Sequence, residues 1–293
     1  MSLTLKEIAW NRIRLCVPSD WEIGLVGERQ LVFQEGTKAT LELKWQTVRG
    51  RFSHRTHIRR LSAQHKRKLK KPIEIHPLPK AWENVLKGFQ TTGFTWHSGD
   101  ISGRGGILFC PVCRTATLIQ FFSHAGKRSD HLPVTILQTY KDHRRDGFTD
   151  WRVFDICARL PERFLLNGHR FYPGKYVLAF SDKKHRIQLL RWAPASILLR
   201  HRTLSQFAGE WAGDPEKGFT ETTLNGCPGV EWKTPASANL NCRWLRLTTG
   251  PLFQLMRLWH LERQNRILGV AIAGSVAITP ELAADVCEKY DSF

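Results

Sequence analysis

The residues best spaced for chemistry are Cys110-Pro-Val-Cys113. Two cysteines separated by two residues can supply half of a tetrahedral zinc site, or can run thiol–disulfide exchange. A complete zinc site needs about four ligands, and the chain has no second Cys-x-x-Cys. Completion would require scattered groups such as His97, His124, His131 or Cys16. Exchange chemistry gains from a helix N-terminus that acidifies the thiol, whereas this pair stands between two strand patterns. A hairpin turn with two structural cysteines is therefore the expected role, with zinc or redox chemistry as the alternative. No cofactor is implied.

The second candidate is a run of cations. Residues 51–71 hold nine Lys/Arg, three His and no acid. Ile58, Leu61, His65 and Leu69 recur at helical spacing, which gives the segment an apolar face. Arg55, Arg59, Lys66 and Lys70 fall in one stripe away from that face, with Arg60 and Arg67 beside it and Arg51 just before it. A surface of that kind attracts acidic protein or nucleic acid, and phosphate binding by it would weaken steeply with salt. The competing reading is a solvated helix face.

Other motifs point to structure. His54-Arg-Thr56 and His201-Arg-Thr203 each precede or open a helical pattern, where the threonine suits an N-cap. Gly103-Arg-Gly-Gly106 lies ahead of a strand, the wrong order for a phosphate-cradling loop, and reads as a hairpin turn. Trp82, Trp96, Trp244 and Trp259 could stack bases, but their settings favour core packing. The chain contains no Walker loop, dinucleotide fingerprint, His-Glu-x-x-His or Gly-x-Ser-x-Gly. The expectation is a non-enzymatic protein.

The elements that must position these residues come in two similar series. Trp10-Asn-Arg-Ile-Arg-Leu-Cys16 lines up with Trp151-Arg-Val-Phe-Asp-Ile-Cys157. Phe33 and Phe180, Trp45 and Trp192, and His54 and His201 share an offset of 147. The terminal helical stripes Leu132, Ile136, Tyr140 and Leu282, Val286, Tyr290 are 150 apart. In the first series, Lys38 to Trp45 alternates apolar and polar as a half-buried strand does. Thr115–Phe122 and Arg266–Ile272 are apolar on both faces and read as central strands. Thr279-Pro280-Glu281 carries the hydroxyl, proline and acid of a helix start. Two tandem α+β repeats are expected, residues 1–145 and 146–293, joined in the polar stretch Lys141–Gly147. Each would be a mostly antiparallel sheet flanked by helices in an α/β/α sandwich.

The opening Trp10 to Gly24, the hairpin after it, and the strand–helix step from Trp45 to Leu69 resemble the PsbP-like family of α/β/α sandwich domains. The resemblance implies that fold, and a binding or assembly role without catalysis. It carries no functional residue onto this chain.

Composition bounds the rest. Lys+Arg number 44 against 26 Asp+Glu, a formal charge of +18. Residues 1–150 contribute 25 − 13 = +12 and residues 151–293 contribute 19 − 13 = +6. Seven cysteines, odd in number and mostly isolated, do not form a disulfide framework. The N-terminus lacks the basic start and apolar core of a secretory signal, and no apolar run is long enough to span a membrane. A cytoplasmic location is expected. The sequence thus points to a basic first repeat that docks an acidic protein partner, with nucleic acid as the second choice.

Overall fold

The computed structural model describes residues 3–69, 73–124, 131–144, 146–234 and 253–293, and in the helix over 54–69 the side chains of 64, 65, 68 and 69 are not described. The chain divides into two compact units, Met1–Arg145 and Asp146–Phe293.

The first unit opens with an antiparallel pair, β1 (Leu5–Trp10) and β2 (Ile13–Pro18). Asn11 and Arg12 both take positive φ, 44° and 77°, as a two-residue turn matched to strand twist requires. There follow β3 (Glu22–Gly27), β4 (Gln30–Glu35), β5 (Lys38–Thr47), α1 (His54–Leu69), β6 (Glu74–His76), α2 (Lys80–Val85), β7 (Gln90–Ser98), β8 (Ile101–Phe109), β9 (Thr115–His124) and α3 (His131–Thr139). The strands build one seven-stranded antiparallel sheet in the order β3-β4-β5-β9-β8-β7-β6.

One face of this sheet carries Leu41, Leu43, Ile119 and Phe121, all buried. The β1–β2 hairpin is tied to strand ends of the sheet: the Trp10 indole N–H donates to Gly27 O at 2.7 Å, and that of Trp45 to Asn11 O at 3.1 Å. Trp82 of α2 meets Phe121 edge-on. The opposite face packs Ile107, Phe94 and Trp96 against Ile58 and Leu61 of α1. The apolar stripe expected on α1 is thus buried at Ile58 and Leu61, while the side chains of His65 and Leu69 lie outside the described residues.

The second unit contains β10 (Phe148–Val153), β11 (Ile156–Pro161), β12 (Leu165–Tyr172), β13 (Lys175–Ser181), β14 (His185–Trp192), α4 (Ala195–Leu198), α5 (Leu204–Trp211), β15 (Thr220–Leu224), β16 (Cys227–Lys233), β17 (Phe253–Leu261), β18 (Arg266–Gly274), α6 (Pro280–Glu288) and β19 (Tyr290–Ser292). Its seven-stranded sheet runs β12-β13-β14-β18-β17-β16-β15, while β10, β11 and β19 pair separately. Trp151 stacks edge-on against Phe180, and Trp259 against Tyr290.

These facts correct the α/β/α sandwich. Among the described residues, 133 lie in named strands and 52 in named helices. Covering both faces of a seven-stranded sheet with helices needs several long amphipathic segments. Among the described residues only α1, with 16 residues, is longer than nine. In the first unit the other face is met by a hairpin and short helices. Short extended stretches such as Leu5–Pro18 do that packing in place of helices.

Gly103-Arg-Gly-Gly106 is a second correction. It lies inside β8, and the turn before β8 is made at Gly99, with φ +59°. A Cβ on Gly103 would lie 2.2 Å from Trp96 Cε2, and one on Gly105 would lie 2.3 Å from Ile119 O. The glycines make room for an indole and a neighbouring backbone across the sheet. The third concerns the threonines. Thr203 caps α5 in a reciprocal box with Gln206. Thr56, by contrast, lies inside the first turn of α1 and its own N–H points to Ser53 Oγ at 3.4 Å. Thr279 caps α6, accepting from Leu282 N–H at 3.2 Å. No helix among the described residues is long and apolar enough to cross a membrane.

Candidate functional site

Helix α1 crosses the sheet of the first unit with its apolar edge inward, so its cations must face out. Arg55, Arg59, Arg60, Lys66 and Arg67 are exposed on it, and Arg51 is exposed just before it. Among the described residues none of these six has an ion-pair partner, and no acid lies in residues 51–71. Lys70 lies outside the described residues.

Beside this face a cleft of about 310 Å³ separates α1 from the sheet. Leu61, Ile107 and Leu118 supply apolar wall, and Arg60, His57 and Lys44, the last ion-paired with Glu42 at 2.6 Å, stand at the rim. Gln46 Nε2 stands 3.2 Å from His57 Nε2 and links β5 to the helix. His57 Nδ1 lies 3.0 Å from Ser53 O. His54 stacks edge-on to Phe52. Burial, and then the neighbouring His57, hold its pKa below the ordinary value. The cleft therefore joins a dry wall to a positive rim, the pairing that suits an apolar side chain flanked by acids.

The second cluster lies elsewhere in the same unit. Cys110 and Cys113 occupy the turn from β8 to β9, closed by Cys110 N–H to Thr115 O and Arg114 N–H to Cys110 O, each 2.9 Å. Arg114 takes φ 58° to finish the turn. Both thiols are free. After α3, the backbone at Lys141 pairs with Arg14 of β2 through two 2.8 Å hydrogen bonds. That pairing delivers Asp142 and His143 to the cysteine turn. Cys113 Sγ donates to Asp142 Oδ2 at 3.1 Å, His143 Nδ1 lies 2.7 Å from Asp142 Oδ1, and Cys110 Sγ lies 3.8 Å from His143 Nδ1.

Burial pushes the Cys113 thiol up to about 12, and the Asp142 carboxylate adds to this against opposing hydrogen bonds from Thr115. Burial also raises Tyr140, with Asp142 again contributing.

The expected turn at the cysteines is observed, while the partners named for them are not. His124 Nε2 is engaged with Ala39 O at 3.0 Å, and none of His97, His124, His131 and Cys16 belongs to the cluster. Asp142 and His143 were hidden in a polar stretch that reads as a linker. A Cys-x-x-Cys followed some thirty residues later by adjacent Asp and His is the signal that could have found them. The tryptophans are core: Trp82, Trp96 and Trp259 are buried, and Trp244 lies outside the described residues.

No protein-family model matches the chain, and no curated protein does. Among solved structures, the Saccharomyces cerevisiae Ran-binding protein Mog1p is similar at 9% identity, over 48% of this chain and 96% of that one, with a TM-score of 0.35. The immunity protein TplEi of the Pseudomonas aeruginosa T6SS is similar at 10% identity, over 98% of this chain and 97% of that one, with a TM-score of 0.38. Likeness at these values carries nothing about the site or its ligand.

Proposed function

We propose that this chain is a non-catalytic binding protein whose first unit docks an acidic protein segment along the outer face of α1. The observation that carries the reading is the set of exposed cations Arg51, Arg55, Arg59, Arg60, Lys66 and Arg67, none of them ion-paired among the described residues. The adjoining cleft sharpens it, since Leu61 and Ile107 offer a dry seat for an apolar side chain between flanking acids. Cations steer association and set its salt dependence, while the buried anchor slows release.

Nucleic acid is the less favoured ligand for this face. Sequence-tolerant binding of single strands uses exposed aromatic platforms. The tryptophans that might have supplied one, Trp82, Trp96 and Trp259, are packed inside. The shared strand order of the two seven-stranded sheets supports an origin by duplication, with the cationic helix developed in the first unit alone. The polypeptide around α5, Leu204 to Gly213, has Glu210 as its sole charge.

A salt series decides between ligands. The whole chain is titrated with an acidic leucine-bearing peptide and, separately, with duplex and single-stranded DNA. Peptide binding that exceeds DNA binding at equal salt supports the reading. Tighter DNA binding with a steep inverse salt dependence would overturn it in favour of nucleic acid.

A further inference from the structure

We infer that Cys110, Cys113, Asp142 and His143 form a closed, four-ligand zinc site. The four ligand atoms all lie within 4.8 Å of one another. Ligands about 2.0–2.3 Å from a tetrahedral zinc ion stand roughly 3.3–3.8 Å apart. The 3.8 Å between Cys110 Sγ and His143 Nδ1, and the 3.1 Å between Cys113 Sγ and Asp142 Oδ2, are already close to those edges. The 2.7 Å contact of His143 Nδ1 is with the other carboxylate oxygen, Asp142 Oδ1, and has to open, while separations of up to 4.8 Å have to close, to admit the ion.

Charge points the same way. The Asp142 side chain is 3% exposed, and His143 is its ionic partner among the described residues. A carboxylate buried between a thiol and an imidazole, with no Lys or Arg paired to it among the described residues, is an expensive arrangement unless a proton or a cation is shared with it. A divalent ion converts the same groups into ligands.

The donor set selects the metal. Two soft thiolates, an imidazole and one carboxylate in a four-coordinate arrangement suit zinc, whereas calcium and magnesium take oxygen cages. All four positions are filled by protein, so the ion would be structural and would not activate water. It would pin the β8–β9 turn to the segment that leaves α3. Binding transfers the two thiol protons to solvent and involves no change of oxidation state. In the second unit the corresponding β17–β18 turn has no cysteine. There Arg266, at the start of β18, donates to Ser292 Oγ at 2.7 Å and lies 3.2 Å from Asp155. Arg266 thus opens β18 as Thr115 opens β9, and it binds through charge and hydroxyl contacts.

The test uses the full chain without a histidine tag, purified under reducing conditions, with metal content measured and cobalt(II) added as a spectroscopic probe. The expected result is about one zinc per chain, and with cobalt the sulfur-to-metal charge-transfer and intense visible bands of a tetrahedral thiolate site. Cys113→Ser and His143→Ala should weaken or remove those bands, and Cys16→Ser should keep them. A reduced wild-type protein that holds no zinc and gives no cobalt bands overturns the site without recourse to any variant. Bands that persist unchanged in Cys113→Ser, or vanish in a folded Cys16→Ser, overturn the ligand assignment. Recovery of the wild type as a Cys110–Cys113 disulfide that binds metal in neither redox state also overturns it.

Discussion

Cys113 Sγ lies 3.1 Å from Asp142 Oδ2, although 29 residues separate them in the chain. The contact joins the β8–β9 turn to the segment after α3, and it gives a zinc ion a mechanical consequence. A strong chelator should lower the melting temperature of the wild-type protein and leave Cys113→Ser unaffected. Metal at about 100 times its dissociation constant adds about 2.7 kcal/mol. For a unit of this size that is about 5–10 °C. Equal melting of wild type with and without chelator would remove the metal from the account of stability.

The Trp96–Gly103 contact predicts a local overpacking effect. Gly103→Ala places a methyl 2.2 Å from Trp96 Cε2, against an indole that is itself buried. The cost is about 1–3 kcal/mol in urea unfolding. Gly99→Ala offers a comparison, because nothing stands within 4 Å of a Cβ there and only its φ of +59° is strained. If Gly103→Ala unfolds at the wild-type midpoint, the Trp96 ring does not occupy that space.

A cap accounts for the start of α5. Thr203→Ala removes both the acceptor for Gln206 N–H and half of a reciprocal box, and should destabilise by about 1 kcal/mol. Thr203→Ser should recover most of that loss. Thr56→Ala should cost less, since Thr56 lies within α1 and not at its cap. Equal costs at the two threonines would contradict the distinction.

Those pairs show what was legible in the residues. Strict alternation from Lys38 to Trp45 marks β5, and the hydroxyl, proline and acid at Thr279–Glu281 mark the start of α6, because each rests on a local periodicity or cap. The apolar edge of α1 was legible at Ile58 and Leu61 for the same reason. Gly103-Arg-Gly-Gly106 looked like a turn because glycine runs usually break strands, yet its reason is Trp96, a neighbour across the sheet. Asp142 and His143 looked like linker because a polar stretch without periodicity has no local signature. Only the pairing of Lys141 with Arg14 brings them to the cysteines. The helix-flanked sandwich failed similarly: the nature of the layer beneath a sheet is decided by packing between distant segments.

His54 should impose a pH dependence on the first unit. Its Nδ1 is buried without a hydrogen-bond partner among the described residues, and its pKa is lowered from 6.5 by burial and then by His57. The unfolded chain therefore binds the proton more readily than the folded one. The stability that neutral His54 contributes is complete above pH 6.5 and declines as pH falls through 6.5 towards the lower folded value. His54→Gln should flatten that part of the profile, as read by urea midpoints on either side of this window. An unchanged slope in the variant would assign the dependence to another group.

The central claim is that exposed cations of α1 hold an acidic protein segment, and the direct measurement is fluorescence anisotropy with Arg59→Glu/Arg60→Glu. The probe is a labelled peptide of alternating glutamate and leucine, titrated with the full chain at about 50 mM salt, where screening is weak. Both arginines are exposed and ion-unpaired among the described residues, so the variant should keep the wild-type circular dichroism and melting curve. The wild type should bind, and the variant should lose at least about tenfold in affinity, or about 1.4 kcal/mol. A folded variant that binds the peptide as tightly as the wild type, or a wild type that does not bind it at all, contradicts the claim.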